Sequence, residues 1–392
     1  MVLEVYVDWI AFRSDNRGKG YDLALASALH PAHGYLFPKL QSLTIIAWYP
    51  SNLLASIVFL QPEVQAITVS LKSKNWSWMD GNGTNSITSF MGAAVSRCPD
   101  LLQLAVLGDS GGYWRCTSSR LSALIGQMTL LTTLDLTYAQ LPKDSLFALL
   151  SDLPWLESIN IEGNGQNGWL TKAVEEGALF EGAFPSLSSF QGSLSKELLK
   201  ILVHPCFPLS SLESLTVDRC PSELIEELMQ TISCLPLVEL KLKMQSEQLR
   251  MSDLLQLSTL SNLRVLEIAS VAPFAITEDE LHPLIASWTK LKSIRLSNSS
   301  SITLRSVRSF LEHCTVISVM QINVDASELP EMAEDKSQNI EGNNADRDVG
   351  TYNLPPVELV AKGWKVKARD AVEEWVSTTG KQAGRAINIG WI

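Results

Sequence analysis

Charge is scarce in this chain. Only 19% of its 392 residues are Asp, Glu, Lys or Arg, and their balance is acidic, with a formal net charge of −11. No long basic stripe offsets that balance, which excludes a nucleic-acid backbone as partner. Cysteine is sparse as well: six residues, at 98, 116, 206, 220, 234 and 314, with no C-x-x-C pair. This pattern argues against a disulfide framework or a zinc site and fits reduced, buried thiols in the cytoplasm or nucleus. The five histidines at 30, 33, 204, 282 and 313 are scattered, and only His30 and His33 stand close enough to make even a weak metal pair. No run of about 18 apolar residues occurs, so no membrane span is expected. The opening MVLEVYVDWIAFRSDN has no basic leader and carries Glu4 and Asp8 within its apolar run, unlike a secretory signal.

Chemistry is missing too. Gly108 to Gly112 spell GDSGG, the nucleophile signature of chymotrypsin-like proteases. That chemistry needs a His and an Asp assembled on two barrels, and the span from His33 to Ser110 is too short to hold the barrel between them. Asp80-Gly81-Asn82-Gly83 lacks the Lys of a phosphate loop and the terminal Glu of a calcium loop. Nothing nominates a reaction or a cofactor, and the expectation is a non-catalytic chain that needs none.

What the sequence does have is apolar residues, at 46%, and they recur in an L-x-x-L-x-L spacing. The stretch Ser211 to Met244 shows one complete unit: Leu212-Leu215-Val217 with Cys220 behind them, an amphipathic run through Leu224, Leu228, Ile232 and Leu235, then Leu237-Leu240-Leu242. The same spacing gives Leu40-Leu43-Ile45, Val64-Ile67-Val69, Leu101-Leu104-Val106, Leu131-Leu134-Leu136 and Leu156-Ile159-Ile161. Leu187-Phe190 follows with Gly192 in the third place, and then Leu263-Leu266-Ile268, Leu291-Ile294-Leu296 and Val319-Ile322-Val324. Most successive starts lie 24 to 28 residues apart, inside the range of leucine-rich repeats. Val2-Val5-Val7 offers one further strand at the front. Amphipathic helices are expected between strands, with Pro-containing turns such as Cys98-Pro99-Asp100 and Phe184-Pro185-Ser186 leading into the next strand. The predicted fold is therefore α/β: a leucine-rich-repeat solenoid over 1–325, with a parallel sheet on its concave face and helices outside.

Beyond Asp325 the pattern stops. Residues 326–351 read as an acidic disordered linker, and 352–392 as a tail with one amphipathic helix over about Val357 to Val376.

Two surfaces are candidates for binding a protein. The concave face would present the residues between the buried ones, among them Asp135, Asn160, Glu162, Asp218, Glu239, Lys241, Lys243, Glu267 and Arg295. The second is a loop rim. The three longest repeats insert their extra residues after the strand, and each insertion carries aromatics: Trp76 and Trp78, Tyr113 and Trp114, and Trp169. Such side chains dominate interface hot spots.

The turns Cys98-Pro99-Asp100-Leu101 and Phe184-Pro185-Ser186-Leu187, with units such as LESLTVDRCP, resemble the leucine-rich-repeat half of fungal F-box proteins over about residues 1 to 325. The resemblance implies a receptor whose repeats hold a substrate protein, while an F-box ahead of them binds the adaptor of a cullin–RING ubiquitin ligase. No such segment opens this chain, so that contact requires one upstream of Met1. The other expectation is a repeat scaffold or GTPase-regulator-like protein with no ubiquitin connection.

Overall fold

The computed structural model describes residues 3–8, 37–72, 81–108, 114–115, 119–137, 139–140, 146–161, 183–193, 196–203, 207, 209–244, 250–274, 276–299, 302–322, 324–325, 357–361, 377 and 387–391. These fall into two compact units, Met1–Asp218 and Arg219–Ile392.

In the first unit the sheet strands are β1 (Leu3–Asp8), β2 (Leu40–Ala47), β3 (Ala66–Leu71), β4 (Gln103–Leu107), β6 (Thr133–Asp135), β8 (Ser158–Ile161), β9 (Ser189–Ser193) and β10 (Ser214–Cys220), whose last two residues belong to the second unit. They lie side by side in chain order, and every pairing along the series is parallel. Two short strands, β5 (Trp114–Arg115) and β7 (Ala139–Gln140), pair apart from that sheet. Between strands run α1 (Pro50–Ala55), α2 (Gly81–Arg97), α3 (Ser119–Gly126), α4 (Leu146–Ser151) and α5 (Lys196–Leu202), with α1 beside α2, α2 beside α3 and α3 beside α4.

The repeat is built by three backbone devices. The first apolar residue of a unit closes a tight turn, its N–H donating to the carbonyl three residues back: Val64 to Gln61 at 3.1 Å, Leu131 to Met128 at 3.0 Å, Leu187 to Phe184 at 3.2 Å. The next two N–H groups share one carbonyl of the preceding repeat. Leu102 and Gln103 donate to Gln65 O (2.8 and 3.0 Å), Thr132 and Thr133 to Leu102 O (2.8 and 3.1 Å), and Glu157 and Ser158 to Thr132 O (2.9 and 3.0 Å). The strands then pair in constant register, which stacks Leu43, Ile67, Leu104, Leu134, Ile159, Phe190 and Leu215. All seven are at most 2% exposed. Each turn thus fixes the parity of its strand, and a one-residue slip would turn every apolar side chain outward. At the front, Val5 and Val7 pair with Leu43 and Ile45, as the Val2-Val5-Val7 spacing predicts.

Gly192 stands where other units carry an aliphatic side chain, and the structure supplies the reason. A Cβ there would lie 3.1 Å from Phe190 Cε1 and 3.7 Å from the Ile161 carbonyl. The Phe190 ring occupies the third place of its own unit, and Phe207 meets it edge-on at 6.3 Å.

The second unit repeats the plan. Its sheet runs β11 (Glu239–Met244), β12 (Val265–Phe274), β13 (Ser293–Ser299), β15 (Val319–Gln321), β17 (Val357–Ala361) and β18 (Ile387–Trp391). The short strands β14 (Ile302–Thr303) and β16 (Val324–Asp325) pair separately. Its helices are α6 (Ile225–Ile232), α7 (Met251–Leu255), α8 (Glu278–Ser287) and α9 (Leu304–His313).

Two expectations are corrected here. The unit expected as Val319-Ile322-Val324 is Ile317-Met320-Ile322: Met320 pairs with Ile294, Ile317 and Met320 are fully buried, and Ile322 is 2% exposed. The cause is turn length, because Cys314 caps α9 directly after His313 and the Ile317 N–H donates to the Cys314 carbonyl at 3.1 Å. Val324 belongs instead to the separate β14–β16 pair. Second, Val357–Ala361, expected to open a helix, is a strand whose Leu359 pairs with Met320 and with Ile389 of β18. Its Val-Glu-Leu-Val alternation has the period of a strand. The rest of that predicted helix, apart from its strand, and the acidic segment 326–351 lie outside the described residues.

A Gly192→Val change is expected to lower stability by about 1–3 kcal/mol through overpacking. Adding Phe190→Leu, which restores the common spacing, should recover at least half of the loss. Urea midpoints of the single and double variants check this.

Candidate functional site

Because the inner positions are closed, chemistry is left to the outer row. Across the first unit that row reads Tyr6, Thr44, Thr68, Ala105, Asp135, Asn160, Gln191 and Thr216, in continuous register. It begins with the exposed Tyr6 ring, continues through small uncharged side chains and ends in a hydrogen-bonded polar strip. Asn160 Nδ2 donates to Asp135 Oδ2 at 3.0 Å and to Thr137 Oγ1 at 3.2 Å. The Thr137 backbone N–H and hydroxyl both donate to Asp135 Oδ1, at 3.0 and 2.5 Å. Further along, Gln191 Nε2 donates to Asp218 Oδ2 at 3.0 Å, and Asp218 is only 2% exposed. The amide donors are thus used on carboxylates, which fixes both carboxylates in place. Asn160 Oδ1 is buried and accepts no hydrogen bond among the described residues. The strip as a whole is rich in acceptors and poor in donors.

Asp135, Asn160 and Asp218, expected on one face, are on one face, and the structure adds Gln191 and Thr137 as the residues that tie them down. Glu162 lies outside the described residues.

The second unit differs. Lys241, Glu267 and Arg295 are consecutive partners across β11, β12 and β13, so charge alternates in sign along the row. Lys241 Nζ also lies 2.5 Å from Glu239 Oε1 within its own strand, both side chains about one-third exposed. Such pairs contribute little to stability. Lys243 and Arg295 are exposed beside them.

Of the aromatic rim, Trp76, Trp78, Tyr113 and Trp169 lie outside the described residues. Trp114 opens β5 and pairs through its backbone with Ala139 of β7, so the segments that follow β4 and β6 are tied to each other. An aromatic not singled out from the sequence, Trp155, is 58% exposed in the turn that enters β8, and Leu130 in the equivalent turn before β6 is 38% exposed. The only sequence signal for Trp155 is its position directly after Pro154.

Two of the buried thiols are poorly suited to reaction. Burial pushes the Cys98 thiol up to about 11, opposed by a hydrogen bond from the Gln61 backbone and by the nearby Arg97. Burial, with Glu223 adding to it, pushes Cys220 up to about 12. A protonated thiol is a weak nucleophile. Among the described residues no group of three or more His, Cys, Asp or Glu could hold a metal ion, and no helix is long and apolar enough to cross a membrane. Of the GDSGG run only Gly108 is described, and its N–H donates to the Thr137 carbonyl at 2.8 Å.

No protein-family model and no curated protein matches the chain.

Two outcomes follow from this geometry. Asn160→Leu removes the donor that holds Asp135 and is expected to cost about 1–3 kcal/mol. Gln103→Leu, exposed on the same face, should stay within about 0.5 kcal/mol. Urea titration of the two variants separates these. The thiols make the second prediction. Both folded values exceed the ordinary value of 9.0, so their stabilisation is complete below about pH 9 and is lost as pH rises towards 11 and 12. Each thiol should contribute a slope of up to about 1.4 kcal/mol per pH unit in that window. A Cys98→Ala/Cys220→Ala variant should show a flatter alkaline limb in denaturation midpoints measured from pH 8 to 11.

Proposed function

We propose that this chain is a leucine-rich-repeat horseshoe that holds a protein partner on its concave sheet face and loop rim. By its resemblance to F-box receptors, it would act as the substrate-recognition part of a ubiquitin ligase. It is a recognition module with no catalytic role of its own. The observation that carries this reading is the continuous register. One face of the sheet is sealed by aliphatic side chains from strand to strand, and the other presents an ordered polar row that ends in the Asp135–Asn160 and Gln191–Asp218 pairs. Rigid, pre-satisfied polar groups on a sheet recognise a partner without the entropy cost of ordering them first.

Affinity capture from a fungal lysate tests it with three baits: the wild type, a face variant (Thr44→Arg/Thr68→Arg/Ala105→Arg) and a rim variant (Trp76→Ser/Trp78→Ser/Trp114→Ser/Trp169→Ser). A protein captured by the wild type should fall at least tenfold with the face variant, the rim variant, or both. Equal capture by all three folded baits removes the reading. Recovery of a cullin–RING adaptor together with that protein supports the ligase assignment, and its absence from captures made with the full-length gene product favours a scaffold.

A further inference from the structure

His282 and His313 are far apart in sequence, yet the fold brings them into contact. His282 on α8 and His313 in the last turn of α9 meet with ring centroids 5.6 Å apart and planes at 76°. They lie on the outside of adjacent helices in the second unit. His282 is exposed and His313 half-buried, and neither takes part in the face or rim described above.

The protonation of His313 follows from its neighbour. Its Nδ1 lies 2.9 Å from the Ser309 carbonyl oxygen. The Ser309 hydroxyl stands further off, at 3.5 Å; a carbonyl accepts and cannot donate, so Nδ1 carries a hydrogen, and in the neutral ring this leaves the lone pair on Nε2. This is the arrangement in which imidazoles bind metals: one ring nitrogen donates to a backbone carbonyl, and the other is fixed in orientation as the ligand. A second observation agrees with it. His313 ends a ten-residue helix, and the partial negative charge of a helix C-terminus favours a cation there.

We propose that His282 and His313 form a two-imidazole site for a divalent transition ion of the zinc, copper or nickel class. The ring separation is within reach of one ion. A metal about 2.0–2.1 Å from each ring nitrogen stands about 3.2 Å from each ring centre, so rings up to about 6.4 Å apart can share it; at 5.6 Å the present edge-to-face contact becomes a ligand pair once the exposed His282 side chain turns a nitrogen towards the ion. Imidazole ligands select this class of ion over magnesium or calcium, which take oxygen ligands. Among the described residues no third His, Cys, Asp or Glu completes the set, so water fills the remaining positions. The bound ion bridges α8 and α9. Since the two ligands are 31 residues apart and meet only in the folded chain, binding stabilises the fold.

The test uses the full chain carrying His30→Gln, His33→Gln and His204→Gln, stripped with chelator, so that these two histidines are the ones left. Zinc chloride titrated by calorimetry should show one site per chain, and cupric ion at one equivalent should show two nitrogen ligands by electron paramagnetic resonance. His282→Gln and His313→Gln should each weaken zinc binding at least tenfold and abolish the rise in melting temperature that zinc gives the parent. If His313→Gln fails to fold, the exposed His282→Gln carries the test alone. No zinc binding by the parent, or a loss of less than tenfold from His282→Gln, overturns the proposal.

Discussion

Each strand of this protein depends on its neighbour for a lid over the same positions. A parallel strand cannot stand alone. Its backbone groups need a second strand, and its apolar residues need side chains of the same height on both sides. The carbonyl shared between two N–H groups at each strand entry, Gln65, Leu102, Thr132, Glu157 and Ser188 in turn, sets that height. Once it is set, Leu43, Ile67, Leu104, Leu134 and Ile159 have no freedom to differ in register, only in shape.

Shape is where the units vary, and variation at one place is compensated nearby. The Phe190 ring fills the place left by Gly192 within a single unit. The helix ends compensate across units. Trp288 and Cys314 hold equivalent positions in consecutive repeats, each offering its carbonyl to the first apolar residue of the next strand. Trp288 Nε1 donates to the Leu257 carbonyl at 3.0 Å, and the Cys314 thiol donates to the Trp288 carbonyl at 3.3 Å. A large ring and a small thiol therefore serve one structural purpose, each with its polar atom satisfied by the repeat before it. Burial of this kind explains why two of the described cysteines hold their protons so firmly.

The architecture was legible in the sequence wherever an aliphatic residue stood at each of the three places, as in Leu101-Leu104-Val106. It was not legible where two readings of the spacing competed. Val319-Ile322-Val324 satisfies the pattern as well as Ile317-Met320-Ile322 does, and only the distance from the end of α9 decides between them. Val357–Ala361 suits a helix as well, because Val360 falls in helical spacing with Trp364, Ala368, Ala371 and Trp375. Five residues of strand alternation are too few to outweigh that without a neighbouring strand to pair with. The polar row was legible as a set of outward positions, but its bonding was not. That Asn160 and Gln191 each turn towards a carboxylate depends on the distance between strands, which spacing alone does not give. The histidine contact was hidden for the same reason: 31 residues become one contact only when successive helices lie side by side.

The same constraint explains why polar identity is concentrated between Asp135 and Asp218. A carboxylate on a sheet face needs donors, and the strands themselves supply none, because their N–H groups are used in the ladder. Asp135 takes its donors from Thr137, just beyond its own strand, and from Asn160 one strand away, and Asp218 takes one from Gln191 one strand away. Both acids of the strip stand where the adjacent repeat carries an amide in reach, whereas Glu4 on β1 stands beside Ser42. At Thr44, Thr68 and Ala105 no such amide stands in the adjacent outer row, and the residues there are small and uncharged. The bonded charge between β6 and β10 is thus a property of pairs of repeats. An acid moved one strand towards Ala105 would lose its donor and would have to be held by water or by whatever the face binds.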